Sequence, residues 1–264
     1  MKKYLLPFIT GVLFAATISL GLYYYLFYDN NSKEANDKVV TNNSASNNQT
    51  AENSDKENQD KTSQNTKESE ENLRGQTPET ISEPTIINGI LLANKKHPLP
   101  KTYNPGEDPT AREWINKLIG DAQAKGLNIS NQVSGFRSYE TQVALYNNYV
   151  KAHGKKEADT FSARPGYSEH QTGLVFDLID NQGQLLGSDG VSQSSITAAK
   201  WVADNAHNYG YIVRYKPEFV EKTGYTAESW HLRYVGKDAA KIIYEKNISL
   251  EDYLNASGGN YIND

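Results

Sequence analysis

From Asp29 to Thr102 the chain carries no Phe, Trp or Tyr; Tyr103 to Asp264 holds 20 of its 28 aromatic residues, and the first 28 residues hold the other eight. A packed core needs large apolar side chains, so this distribution confines any sizeable fold to the last two-thirds of the 264 residues. Length alone would allow one large domain or two small ones. With 27 Lys+Arg against 32 Asp+Glu the net charge is −5, which argues against a nucleic-acid binder with a broad basic face. There is no cysteine, which excludes a disulfide scaffold, a Cys-ligated zinc site, an iron–sulfur cluster and a thiol nucleophile.

Three segments follow. In 1–28, Lys2 and Lys3 precede an uncharged, largely apolar run from Tyr4 to Tyr28. As a helix this run would rise about 37 Å, enough to cross a hydrocarbon core of ~30 Å. The lysines should stay in the cytoplasm and send the C-terminus across. A cleaved signal peptide competes with an anchor, since Ala15, Ala16, Thr17 and Ser19 are small. Either way the remainder is expected to work outside the cytoplasmic membrane. Residues 29–80 are polar, of mixed charge, and read as a disordered tether with an end-to-end distance of roughly 40 Å. Residues 81–264 are expected to form the single folded domain, acting as a monomer.

Within it, Asn94 to Pro100 reads as an extended arm on the surface, and Thr110-Ala111-Arg112-Glu113 as a capping box opening a helix that Gly126 ends. Ser138 caps a second helix, Ser195 to Tyr209 forms a third, and Lys237 to Lys246 closes the chain. Strands are expected at Gln132–Phe136, Leu174–Ile179, Tyr211–Tyr215 and Trp230–Val235. His153 to Thr172 lacks periodicity and reads as a long functional loop. This loose alternation, without Gly-rich phosphate turns, predicts an α+β domain with a small, mostly antiparallel sheet flanked by helices.

Of five histidines, His97, His153 and His207 read as ordinary surface or capping residues. His170 and His231 keep other company. Two His and one carboxylate form a ligand set used by catalytic zinc, with a fourth position left for water. Asp177, ending the apolar run Leu174-Val175-Phe176, is the carboxylate of choice, because an Asp in a buried strand is costly unless paired or bound to a cation. Asp180 reads as a turn residue. Seven residues separate His170 from Asp177, an odd interval, so His170 should precede the strand with Gly173 bending the chain. Glu228 and His231, three apart, cannot share a face of a regular strand, which puts Glu228 on a turn and His231 at the strand's start.

Ser168-x-His170-x-x-Gly173-x-x-x-Asp177 together with Glu228-x-Trp230-His231 resembles the zinc D-Ala-D-Ala carboxypeptidases of the VanY type, and most closely the LdcB-like L,D-carboxypeptidases. Asn94 to Pro100, Ser134 to Ser138, Ser162 to Gly166 and Tyr211 to Tyr215 extend the resemblance. It implies the small α+β fold shared with hedgehog signalling domains. It further implies zinc on His170, Asp177 and His231, Glu228 as catalytic base, and Arg137 at the oxyanion. Arg214 would capture the substrate's terminal carboxylate, with Ser168 and Gln142 as further donors. The implied substrates are peptidoglycan stem peptides, with removal of the C-terminal D-alanine from tetrapeptides. D,D-carboxypeptidase action on pentapeptides and a non-catalytic wall-binding module are the alternatives.

Overall fold

The computed structural model describes residues 73–262. The apolar run 4–28 and residues 29–72 of the expected tether lie outside them. Among the described residues no helix is long and apolar enough to cross a membrane.

The centre is a four-stranded antiparallel sheet in the order β3-β4-β6-β5, built from β3 (Val133–Ser134), β4 (Val175–Leu178), β5 (Tyr211–Tyr215) and β6 (Glu228–Tyr234). A separate hairpin joins β1 (Thr85–Ile87) to β2 (Ile90–Leu92). The helices are α1 (Pro109–Ala124), α2 (Tyr139–His153), α3 (Lys155–Phe161), α4 (Gln193–Asn205), α5 (Val220–Thr223), α6 (Lys237–Lys246) and α7 (Leu250–Leu254). The architecture is the α+β arrangement expected from the sequence.

Side chains alternate across a sheet, and here the two faces have opposite chemistry. Phe176, Leu178 and Leu232 face Ile115, Leu118 and Ile119 of α1 and Ala198 and Val202 of α4, forming the main core. The other face carries Asp177, His231, Arg233 and Arg214, all buried. Register makes the juxtaposition: Asp177 lies directly opposite His231, and Val175 opposite Arg233. A smaller core of Leu92, Ile212, Ala240, Ile243, Leu250 and Leu254 ties β2 and β5 to α6 and α7.

Several local expectations are corrected. The capping box does not open α1: Asp108 is the N-cap, its carboxylate accepting the Ala111 N–H at 2.7 Å, and Pro109 takes the first helical position, where no N–H is needed. The supposed long loop holds α3 and a 3-10 turn over Glu169–Thr172. The arm is not on the surface. Asn94, Lys95, His97 and Leu99 are buried, with the Lys95 ammonium bound by the carbonyls of Asp159 (2.7 Å) and Gly224. His97 is accordingly no surface residue; its Nδ1 lies 2.9 Å from Asn94 Oδ1, and burial pushes its pKa down to about 4. The fold also starts before residue 81, since Lys101 N–H donates to the Pro78 carbonyl at 2.7 Å and Pro78 packs on Gly166. At the other end α7 follows the helix expected to be last, capped reciprocally by Ser249 and Asp252.

Candidate metal centre

His170 is set by a short turn. The Ser168 hydroxyl accepts the His170 N–H at 3.3 Å, and Gly173 ends the turn at φ 76°. A Cβ on Gly173 would lie 2.0 Å from the Gly106 carbonyl oxygen, so glycine is required for both conformation and space. The His170 ring places Nδ1 2.8 Å from the Gly135 carbonyl, which can only accept; Nδ1 therefore donates there, and Nε2 is the ring nitrogen left to face Asp177. That Nε2 is 3.1 Å from Asp177 Oδ2. Across the strand pair, His231 Nδ1 is 3.1 Å from Asp177 Oδ1, and its Nε2 is 3.3 Å from Glu169 Oε2. One ligand atom from each of His170, Asp177 and His231 lies within 4.8 Å of the other two.

Asp177 Oδ1 is buried and, although close to His231, lacks a hydrogen bond of good geometry. A buried carboxylate whose two oxygens each face one imidazole nitrogen, with Oδ1 left without a hydrogen bond, fits a divalent cation that takes nitrogen and oxygen ligands. Burial raises the Asp177 pKa, but the two imidazoles outweigh it and hold the group well below the usual carboxylate range. Burial lowers His231, while its close approach to the Asp177 and Glu169 carboxylates raises it to about 9. A cation would supply the positive charge that this proton otherwise brings.

Glu228 stands beside the ligand set, its Oε2 3.5 Å from His231 Nδ1. It does not lie on a turn, nor does His231 start the strand: both belong to β6. The strand is bulged, with Val213 opposite Leu232 and Tyr215 opposite Glu228, so two steps on β5 span four on β6. This irregularity brings residues three apart to one site. Burial, set against the His231 charge, pushes the Glu228 pKa up to about 8.

These groups open onto a cavity of about 250 Å³ whose polar end includes Arg137 and Ser168 and whose apolar wall includes Leu145, Tyr149, Phe161, Leu185 and Trp230. Of the expected substrate contacts, Gln142 reaches the cavity and Arg214 is corrected. Gln142 lines the cavity, but its amide donates to the Ala163 carbonyl at 2.7 Å and its oxygen accepts from Arg137 at 2.9 Å, so it braces the arginine. Arg214 does not reach the cavity. It is fully buried, with Nε on Glu169 Oε1 at 2.9 Å and both terminal nitrogens on Glu251 at 2.9 and 2.6 Å. Both glutamates escaped the sequence reading, as did Arg233, which donates to Glu169 Oε1 at 2.8 Å. The one available signal was Glu169's position beside His170.

A D-alanyl-D-alanine carboxypeptidase (VanY) family model matches residues 106–237, and the chain belongs to that family. YodJ of Bacillus subtilis (strain 168) is 35% identical over 217 residues, 72% of this chain and 78% of that protein. The structure of the LdcB LD-carboxypeptidase, described as revealing the basis of peptidoglycan recognition, is 48% identical with a TM-score of 0.61, covering 69% of this chain and all of that one. A variant of the vancomycin-resistance D,D-pentapeptidase VanY from a VanB-type cassette, in complex with Zn(II), is 32% identical with a TM-score of 0.53, covering 62% of this chain and 97% of that one.

Proposed function

We propose that this chain is a zinc carboxypeptidase that removes the C-terminal D-alanine of peptidoglycan stem peptides, with L,D specificity on tetrapeptides. The observation that carries the reading is a cluster of two imidazoles and one carboxylate with a second carboxylate, Glu228, beside it at the cavity. Zinc, when bound, supplies a Lewis acid and brings the pKa of water to about 7. His170, Asp177 and His231 would hold it. Glu228 would accept a proton from the attacking water and return it to the departing amine, a task that suits a carboxyl whose pKa lies near neutrality. Arg137, steadied by Gln142, faces the charge that develops on the scissile carbonyl or the terminal carboxylate. Ser168, whose oxygen already serves His170 N–H, keeps its own proton to donate.

The L,D assignment rests on the greater identity to the LdcB structure than to the D,D-pentapeptidase. Because peptidoglycan lies outside the cytoplasmic membrane, the run from Tyr4 to Tyr28 supports an extracytoplasmic domain, anchored or released by cleavage; mass spectrometry of the mature N-terminus distinguishes these. Purified protein with zinc should release D-alanine from a defined tetrapeptide at least about tenfold faster than from the pentapeptide. The reverse preference assigns D,D activity, and zinc binding with release from neither peptide assigns the wall-binding module. Glu228→Ala should lower turnover by about 10²–10⁴ while zinc stays bound; undiminished turnover rejects Glu228 as the base.

A further inference from the structure

Behind the candidate metal centre lies a closed set of charges that the proposed chemistry does not use. Glu169, Arg214, Arg233 and Glu251 are each buried with essentially no exposure of their charged groups. Two carboxylates face two guanidinium groups, so the set is neutral. Glu169 is its hub: Oε1 accepts from both Arg214 Nε at 2.9 Å and Arg233 at 2.8 Å, leaving Oε2 to meet His231 Nε2 at 3.3 Å. Arg214 turns both terminal nitrogens to Glu251, which also accepts from Asn94 at 3.0 Å; Arg233 also donates to the carbonyls of Leu91 and Tyr234.

We propose that Glu169 is a positioning residue for His231: pinned by two arginines as an acceptor, it fixes the His231 proton on Nε2 and so turns the Nδ1 lone pair toward Asp177 and His170. The proposal rests on the reading of those three residues as metal ligands. Two features support it beyond proximity. Glu169 cannot swing away, because both its oxygens are engaged and the side chain is enclosed. His170 has the complementary arrangement, Nδ1 toward a carbonyl and Nε2 toward Asp177, so each ring is held by its outer nitrogen. An amide at 169 would break this logic. With its oxygen kept on the arginines, its NH₂ would face His231 Nε2, which would then have to accept, moving the ring proton to Nδ1 and blocking that ligand atom.

Zinc affinity of the full chain, read by competition with a chromophoric chelator, tests this without relying on turnover. Glu169→Gln should weaken zinc binding roughly 10- to 100-fold. Glu251→Gln disturbs the same charge set one bridge further from His231 and should cost at least about tenfold less zinc affinity than Glu169→Gln, even where metal-free melting temperatures fall alike. Unchanged affinity in Glu169→Gln, or equal losses in both variants, overturns the positioning role. Should Glu169→Gln fail to fold, ¹⁵N-histidine NMR of the zinc-loaded natural chain decides: His231 must show a protonated Nε2 and a metal-bound Nδ1, and the opposite assignment overturns the proposal. A natural chain that binds no zinc removes the metal reading itself, a result separable from the loss of affinity in one variant.

Discussion

Two groups at the centre hold protons more tightly than they would in an unfolded chain, and this fixes the sign of a pH effect. Glu228 is raised from an ordinary 4.5 to about 8 by burial, and His231 from 6.5 to about 9 by Asp177 and Glu169 despite its burial. Between about pH 5 and 9 these two groups therefore bind more protons in the metal-free native state than in the unfolded chain, and their contribution to stability falls as pH rises; His97, held down to about 4 by burial, acts in the opposite sense below about pH 6.5. Asp177 and Glu169, held low, act in the other direction; their contribution is present above the ordinary carboxylate range and lost in acid. A cation replaces the His231 proton, so zinc-loaded protein should escape the alkaline loss. Melting curves with zinc and with chelator should separate progressively from pH 6 to pH 9; a gap that narrows across that range contradicts the assignment. At this scale His170, Asp177 and His231 were legible, because ligand types and an Asp in an apolar run announce themselves. Arg214 was misread for a physical reason: an arginine within an apolar strand looks the same whether it meets substrate or a buried glutamate, and its partners stand 45 and 37 residues away.

The elements that present the site depend on backbone features of unequal weight. Gly173 closes the turn carrying Glu169 and His170, at positive φ and against the Gly106 backbone, which cannot yield as a side chain would. Gly173→Ala should cost about 2–4 kcal/mol and weaken zinc binding, since both residues move with the turn. Asp108→Ala removes the cap of α1, whose buried face lies on the opposite side of the sheet, and should cost about 1 kcal/mol with zinc affinity intact. Urea denaturation paired with zinc titration separates the two, and equal effects on zinc would refute a specific role for the turn. The pattern revealed β5 and α6 with their bounds, Tyr211–Tyr215 directly after Gly210 and Lys237–Lys246 before Asn247 takes the left-handed conformation that ends the helix. The β6 bulge was invisible because it belongs to the pairing with β5 rather than to its own residues. The same limit hid α3, too short and polar to show a face.

Taken whole, the folded unit reaches past the matched region 106–237 at both ends, and the ends are not equivalent. Beyond residue 237, α7 supplies Glu251 to Arg214 and Leu250 and Leu254 to the second core, while the Tyr261 hydroxyl accepts the Arg164 N–H at 2.9 Å. Cutting after Asn247 strands Arg214 beside a single carboxylate that it must share with Arg233. Breaking a buried pair costs about 3–5 kcal/mol, which in a domain of this size corresponds to a fall of roughly 6–20 °C in Tm before the lost apolar packing is counted. Removing residues 1–72 takes away no aromatic residue beyond the first 28, while the charge set and the metal ligands are built from residues 169–251. That shortened chain should melt within about 2 °C of the full one and bind zinc equally. Calorimetry of both truncations decides the matter. A C-terminal cut that leaves Tm and zinc affinity in place would mean that Arg214 finds other partners and that the buried charges are not what holds the far wall of the centre.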